Sequence, residues 1–194
     1  QAFANEFYDN LPASSNVTGS AEYGRHIYQN LSPPHPISVD TLIFHTRQAA
    51  HDPCVIETIR GADLLFIQGG DQWDYIRLWK DTPVQASIHE LLRRGIPLAG
   101  SSAGLAVLGE FVFSARNGSV SASEALANPY DECVTLERAF IDSPRLAAPY
   151  AFLRNLIADT HFHDRKRMGR LLAFMARLAQ DGHTRAARAI AVRR

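Results

Sequence analysis

Short, continuously apolar runs alternate with segments of helical spacing, and this alternation restricts the fold of the chain more than any other feature. The runs at 63–70, 96–100 and 156–162 are apolar along most of their length rather than at every second residue. Strands that are buried on both faces have this composition, whereas strands with one face in water alternate. Because helices join such strands, the pattern predicts an α/β fold with a parallel sheet and helices on both of its faces.

The sequence also places the individual elements. A Thr-Pro pair opens one helix and Gly95 closes it. Residues 1–40 contain S-P-P-H-P at 32–36 and are predicted as loop with short helix, and 110–150 is a looser stretch. With 194 residues and no internal repeat, a single domain over 1–194 is expected. Strands are predicted at 41–46, 63–70, 96–100, 156–162 and 188–192, and helices at 52–62, 82–95 and 164–180.

Composition argues against several classes of partner. Lys+Arg and Asp+Glu both total 20, so neither nucleic acid nor an anionic membrane surface is expected as a partner. No apolar run approaches the about 20 residues of a membrane span. Cys54 and Cys133 match no metal spacing or disulfide framework and are predicted to be buried thiols. The chain begins at Gln1 without a signal-like segment, as a processed or trimmed product would, and the compartment, cytoplasmic or secreted, is left open.

Gly100-Ser101-Ser102-Ala103-Gly104 lies where an apolar strand passes into an apolar helical pattern. A G-x-S-x-G sequence in this context is typical of a nucleophile elbow, a turn so tight that small residues must flank an exposed serine. We therefore predict that Ser102 is a nucleophile and that the N–H of Ala103 forms half of an oxyanion hole. The alternative is a tight glycine turn whose serines are incidental.

A serine hydroxyl needs a base to take its proton, and His161 is the candidate. It follows the apolar run L-I-A-D-T at 156–160, at the end of another predicted strand. His163 lies two residues further on, so the two imidazoles would share one face of a strand as a metal pair. No third ligand stands nearby, and no metal site is expected.

A basic segment follows these histidines. Asp164 is expected to cap the helix at 164–180, and Arg165, Lys166, Arg167 and Arg170 would then crowd its first two turns, where cations oppose the helix dipole. Either this is a solvated basic face, or the arginines hold an anion, since guanidinium groups pair with carboxylates in bidentate fashion.

Gly69 and Gly70 end the apolar run at 63–70 and are followed by Asp71 and Gln72. Glycines after a strand let the backbone approach a ligand closely. An N–H at Gly70 or Asp71 is therefore predicted to complete the oxyanion hole, with Gln72 as a polar contact to the ligand.

Together, GGDQ at 69–72, GSSAG at 100–104 and DTHFHDRKRMGRL at 159–171 resemble the cyanophycinase and dipeptidase E group of serine peptidases, peptidase family S51. The similarity covers most of 41–192. It implies a flavodoxin-like fold of the class I glutamine amidotransferase type, with Ser102 as nucleophile and His161 as base. The residues that the resemblance places at the substrate are Gln72, Asp159, Thr160, Arg165, Arg167 and Arg170.

The chain departs from the family pattern in two ways. Cyanophycinases usually carry Gln where this chain has Thr160, which bears on specificity. The family also has a first strand before residue 1 and an acidic residue just after the strand at 188–192, whereas this chain ends at Arg194. The triad acid is therefore expected to be missing, and the chain as given to be a poor or inactive enzyme. The rival candidates for that acid are Glu137, Asp142 and Asp159.

The resemblance implies hydrolysis of an amide bond next to an acidic residue, either in cyanophycin, a polymer with β-linked Asp-Arg units, or in aspartyl dipeptides. The expected partner is an acidic peptide or a cyanophycin-like substrate, no cofactor is expected, and a homodimer is left open. A catalytically silent member that binds acidic peptides, or serves as a structural subunit, is the alternative. A glutamine amidotransferase would use a cysteine nucleophile, whereas the elbow here offers serine.

Overall fold

The strands of the protein pair mostly in parallel, as seen in a computed structural model that describes residues 6–7, 39–141 and 148–193. Short 3₁₀ helices cover Gln48–His51 and Ala148–Leu153. The strands are β1 (Glu6–Phe7), β2 (Thr41–Leu42), β3 (Leu65–Ile67), β4 (Leu98–Gly100), β5 (Phe111–Phe113), β6 (Leu136–Arg138), β7 (Leu156–Asp159) and β8 (Arg188–Ala191). The helices are α1 (Pro53–Gly61), α2 (Gln72–Trp79), α3 (Pro83–Arg93), α4 (Ala103–Ala106), α5 (Ala122–Ala127) and α6 (Met168–Gln180).

The strand pairs form three sheets. β1 pairs with β2, β3 pairs with β4, and four strands follow in the order β6-β5-β7-β8. All of these pairs are parallel except β5 with β6. The register places Leu65 beside Leu98 and Ile157 beside Ala189. The predicted α/β fold with parallel strands and interleaved helices is confirmed.

Helices α3 and α6 each bury one apolar stripe. On α3, Ile88 and Leu91 are fully buried, and on α6 the buried residues Leu171, Phe174 and Leu178 follow the period of a helix. Each of these side chains contributes about 1.5–3 kcal/mol when it leaves water. These stripes hold the helices against the strands, and the carboxyl ends of β3, β4 and β7 carry the three sequence motifs.

Several elements were not predicted. The looser stretch at 110–150 contains β5, α5 and β6, and 72–79 forms α2. β5 and β6 have three residues each, which is too short for a period to show. Both helices do carry sequence signals at their starts: Ser121 and Glu124 form a capping box at α5, and the Asp71 side chain accepts from the Trp73 N–H at α2.

The prediction that both cysteines are buried is wrong. Cys54 is exposed in the first turn of α1, where its N–H donates to the Asp52 cap, and Cys133 is half-buried. Desolvation, with nearby Asp131 and Glu132, raises the pKa of the Cys133 thiol. Neither sulfur lies in the apolar core, because each follows the polar start of a helix or turn.

In the described part of the chain, no helix has the length and apolar character that crossing a membrane requires.

Gly104 is a position at which the fold tolerates no side chain. A Cβ at Gly104 would lie 2.1 Å from the carbonyl oxygen of Ile67 on β3. We expect Gly104→Ala to lower the free energy of unfolding by about 2 kcal/mol or more, because both partners are backbone and cannot turn aside. The measurement is urea unfolding followed by circular dichroism.

The matched control is Gly61→Ala at the end of α1, where a Cβ meets nothing within 4 Å. That variant should be neutral or more stable, because alanine is the better helix former. Equal stability of the two alanine variants would show that the turn at Gly104 can relax away from β3.

Candidate active site

Ser102 lies in a strained turn between β4 and α4. Its backbone has φ 48° and ψ −120°, which is an unusual conformation for a residue with a side chain. Strain of this kind costs about 1–3 kcal/mol and persists only where the surroundings enforce it. The strand, the strained serine and the helix that begins at Ala103 match the arrangement of a nucleophile elbow.

Both glycines of the G-x-S-x-G sequence have a steric reason to be glycine. A Cβ at Gly100 would lie 2.6 Å from the Gly104 carbonyl oxygen, and one at Gly104 would overlap the Ile67 carbonyl. The Ser101 N–H donates to the Ile67 carbonyl at 3.0 Å, which fastens the turn to the end of β3. The turn therefore lifts Ser102 above the strand ends because its base is pressed against β3.

His161 lies in a two-residue bulge beyond the end of β7. The Asp159 carbonyl accepts from the Val192 N–H at 2.9 Å, and the Phe162 N–H donates to the Val192 carbonyl at 3.0 Å. Val192 thus brackets Thr160 and His161, which protrude between the two bonds. His161 has φ 50°, so its side chain does not follow the alternation of the strand. The expectation that His161 and His163 share one face of a strand is wrong, because β7 has already ended at Asp159.

The structure brings Ser102 and His161 together. Ser102 Oγ lies 2.7 Å from His161 Nε2, within hydrogen-bond distance, although the residues are far apart in sequence. Desolvation and the positive charges of Arg165 and Arg167 lower the pKa of His161 below its usual 6.5, against the opposing effect of Asp164 and Asp159. A neutral imidazole at this distance can accept the hydroxyl proton, so the pair has the geometry of a nucleophile and its general base.

The glycine loop after β3 lies against Ser102. A Cβ at Gly69 would be 3.1 Å from the Ser102 Cβ, so only a residue without a side chain lets the loop come this close. Gly70 and Asp71 follow at the exposed end of the loop, and Ala103 is the first residue of α4. N–H groups at a helix start have no partner within the helix, so Ala103 can donate to an oxygen held near Ser102. The structure thus places Gly69 of the loop and Ala103 next to Ser102, and the roles of Gly70, Asp71 and Ala103 as oxyanion donors stay a prediction.

Arg167 and Arg170 bind a carboxylate of the protein itself. Arg170 donates to Asp159 through Nε at 2.8 Å and through Nη2 at 2.5 Å, and Arg167 Nη1 lies 3.2 Å from the same carboxylate. Asp159 and Arg170 are both buried, and the guanidinium of Arg170 also lies over the Phe113 ring at 5.1 Å. Removing one partner of a buried ion pair of this kind lowers the stability of a protein by about 3–5 kcal/mol. This network holds the end of β7 to α6 and so positions the bulge that carries His161.

The basic segment precedes α6 rather than forming its first turns. The helix begins at Met168, with Arg167 as its N-cap residue and no side-chain cap, so the expectation that Asp164 caps it is wrong. Arg165 and Lys166 lie in the preceding turn, exposed to solvent. The Arg165 N–H donates to the His161 carbonyl at 3.1 Å. Of the three arginines predicted to bind substrate, Arg165 is the one whose side chain is exposed beside His161.

The remaining predicted substrate residues differ in accessibility. Thr160 is buried, and its carbonyl accepts from Arg167 at 2.7 Å. Gln72 is half-buried at the start of α2, beyond the glycine loop. His163 is exposed and lies 3.5 Å from Asp164, away from the Ser102–His161 pair. Across the described residues, no group of three or more His, Cys, Asp or Glu side chains is arranged to hold a metal ion.

Of the three rival candidates for a triad acid, the two that the structure describes have other partners. Asp159 is held by Arg170 and Arg167. Glu137 lies on strand β6, which is separated from β7 by β5. Its carboxylate accepts from Ser114 Oγ at 2.9 Å and pairs with Arg116. Asp142 lies outside the described residues. Since Ser102 occupies Nε2 of His161, Nδ1 is the ring nitrogen that an acid would have to reach.

Tyr75 is a residue of the site that sequence reasoning missed. Its hydroxyl donates to the Gln68 carbonyl at 2.6 Å, directly before the glycine loop. The signal that could have found it is positional: Tyr75 follows Asp71, the N-cap of α2, by one helical turn, so its side chain returns toward the loop.

A serine at a strand–turn–helix junction with a histidine on its hydroxyl defines the class of the site, that of a serine hydrolase on an α/β fold. Comparison with known proteins agrees with this class. Residues 10–127 match Peptidase family S51, a range that includes both glycine-rich turns and ends before His161. The chain belongs to peptidase family S51.

Cyanophycinases are among the curated relatives of the chain. That of Trichormus variabilis is 32% identical over 139 residues, which is 71% of this chain and 41% of the relative. That of Geminocystis herdmanii is 29% identical over 121 residues, 62% of this chain and 38% of the relative. The chain thus spans about two fifths of the length of the relatives it matches. A solved peptidase from an acI-B1 Actinobacterium is 20% identical over 71% of this chain and 48% of that chain, with a TM-score of 0.49.

The pKa of His161 should respond to Arg165. We expect Arg165→Met to raise the pKa of His161 toward its usual 6.5, because the change removes a positive charge that opposes protonation of the ring. Since a general base must be neutral, the same change should move the acid limit of any activity to higher pH. The measurement is an NMR titration of the His161 ring protons.

Arg185→Met is the control, because Arg185 is also exposed but is not among the charges that act on His161. That variant should titrate like the unmodified protein. An unchanged His161 titration in Arg165→Met would contradict the electrostatic contact between these two residues.

Proposed function

We propose that this chain carries the catalytic serine and histidine of an S51 serine peptidase that hydrolyses an amide bond next to an acidic residue. The observation that carries the proposal is the 2.7 Å hydrogen bond between Ser102 Oγ and His161 Nε2. Membership of family S51 and the curated cyanophycinase relatives support the same reaction class.

In the proposed reaction, Ser102 Oγ attacks the carbonyl carbon of the scissile amide while His161 Nε2 takes the hydroxyl proton. The carbonyl oxygen becomes an oxyanion, and the N–H of Ala103 with that of Gly70 or Asp71 stabilises it. His161 then gives the proton to the leaving amine, which departs and leaves an acyl ester on Ser102. A water molecule, deprotonated by His161, hydrolyses this ester and restores the hydroxyl.

The proposed substrate has a carboxylate beside the scissile bond, as in a β-aspartyl-arginine polymer such as cyanophycin or in an aspartyl dipeptide. Arg165 supports this class, because its guanidinium is exposed close enough to His161 to lower the pKa of the ring. Arg167 is half-buried and divided between Asp159 and the Thr160 carbonyl. We assign Arg165 to direct contact with the substrate carboxylate, and Asp159 with Arg170 to positioning of the β7 end. Gln72 is proposed to contact the substrate from the glycine loop.

The experiment compares two serine variants on two substrates. Because Glu137 and Asp159 have other partners, the unmodified protein is expected to hydrolyse β-aspartyl-arginine slowly, and Ser102→Ala should reduce that rate to the uncatalysed background, because it removes the nucleophile. Ser101→Ala should keep most of the activity, since the Ser101 backbone groups that fasten the turn remain. Hydrolysis is followed by the release of arginine, and folding of both variants by circular dichroism.

The second substrate is β-alanyl-arginine, which lacks the aspartyl carboxylate and is otherwise matched. The unmodified protein should prefer the aspartyl substrate, and Arg165→Met should reduce that preference by raising KM for the aspartyl compound alone. Loss of activity in Ser101→Ala with retention in Ser102→Ala would overturn the assignment of the nucleophile. Binding of both compounds with no hydrolysis would favour a catalytically silent member of the family.

A further inference from the structure

The Tyr75 hydroxyl contacts two successive carbonyl groups of the loop that lies against Ser102. It donates to the Gln68 carbonyl at 2.6 Å and lies 3.4 Å from the Gly69 carbonyl, a longer contact. A Cβ placed at Gly70 would be 3.3 Å from the same hydroxyl. The tyrosine hydroxyl therefore contacts the turn after β3 at Gln68 and Gly69 and lies close to Gly70.

The geometry of the peptide bond gives this contact a consequence for the N–H groups. In a planar trans peptide the C=O of one residue and the N–H of the next point in opposite directions. Because the carbonyls of Gln68 and Gly69 face the Tyr75 hydroxyl, the N–H groups of Gly69 and Gly70 face away from it. Tyr75 thus sets the direction in which the loop presents its donors.

A pair of glycines needs an outside contact that fixes the direction of its peptide groups. Glycine occupies more of backbone conformational space than any other residue, so the unit between Gly69 and Gly70 can reverse at little steric cost. A larger residue at Gly69 would restrict the backbone, but its Cβ would lie only 3.1 Å from the Ser102 Cβ. A hydrogen bond from outside the loop fixes the direction of the carbonyls and still lets the backbone approach the serine.

Tyr75 is itself fixed and remains a donor. Its ring packs on Trp79 with centroids 4.8 Å apart, and Trp79 in turn contacts Phe44 and Phe140 in the core. Burial, followed by the charges of Asp74 and Asp71, raises the pKa of the Tyr75 hydroxyl to about 12. The hydroxyl therefore keeps its proton over the range in which His161 changes charge.

We propose that Tyr75 is a positioning residue, which holds the glycine loop so that the Gly70 N–H is directed to the oxyanion formed at Ser102. This inference rests on the proposed function, because the oxyanion belongs to that reaction. Tyr75 touches neither the substrate nor the reacting atoms. It acts through the peptide units of Gln68 and Gly69.

The test is Tyr75→Phe, which keeps the ring against Trp79 and removes the hydroxyl. We expect kcat for β-aspartyl-arginine to fall by about 10- to 100-fold, less than the about 10²- to 10³-fold loss on outright removal of one oxyanion donor, because the Gly70 N–H is misdirected rather than removed. KM should change by less than about twofold, because the interaction is made in the transition state. Hydrogen exchange measured by mass spectrometry should become faster in the peptide covering 65–72.

Tyr130→Phe is the matched control. Its hydroxyl also makes one hydrogen bond, to Asp181 at 2.8 Å, on an exposed tyrosine outside the glycine loop. This variant should keep kcat, KM and the exchange of 65–72. Thermal unfolding of both variants shows whether removal of each hydroxyl lowers the stability of the protein by a similar amount.

Unchanged kcat in Tyr75→Phe would overturn the inference, and so would equal losses of kcat in the two tyrosine variants. A rise in KM without a fall in kcat would also overturn it, since it would place Tyr75 in ground-state binding. If the unmodified protein hydrolyses neither substrate, the proposed function fails. Exchange in 65–72 then decides separately whether Tyr75 holds the loop, and unchanged exchange would reject that as well.

Discussion

The close approach of two backbones, the Gly104 turn and the end of β3, is the constraint on which the site depends. A Cβ at Gly104 would overlap the Ile67 carbonyl, and the Ser101 N–H bonds to that carbonyl. Since the turn is pressed against β3, Ser102 must take a strained backbone that projects its hydroxyl above the strand ends. The glycine loop after β3 reaches the serine for the same reason. One packing contact therefore places both Ser102, the predicted nucleophile, and the loop that carries predicted oxyanion donors.

The second half of the site depends on a charge network instead of a backbone contact. Asp159 is buried with Arg170 and is also bound by Arg167, which ties the end of β7 to α6. Val192 forms hydrogen bonds to Asp159 and Phe162 on either side of the bulge, and His161 protrudes between those two bonds. Desolvation, together with the positive charges of Arg165 and Arg167, lowers the pKa of His161. Arg167 thus takes part both in positioning the histidine and in favouring its neutral ring, the form that can accept a proton from Ser102.

Much of the fold and the central pair could be predicted from the sequence, because apolar runs and the G-x-S-x-G turn report local constraints. Ser102, His161 and the parallel pairing of β3 with β4 belong to this group. What could not be predicted depends on contacts between distant residues. Arg170 looks like an anion-binding residue in the sequence, yet it finds its carboxylate inside the protein at Asp159. Strand β5 has three residues, and Tyr75 acts through a hydrogen bond that no motif encodes.

The central claim is that Ser102 is activated by His161, and covalent labelling tests it most directly. The protein is treated with a serine-directed fluorophosphonate and digested, and the modified peptide is mapped by mass spectrometry. A fluorophosphonate reacts with a serine hydroxyl that a base has made nucleophilic. The account predicts a single modification at Ser102, which His161→Ala slows strongly. Modification at Ser101 or at another serine, or no modification of the folded protein, would contradict it.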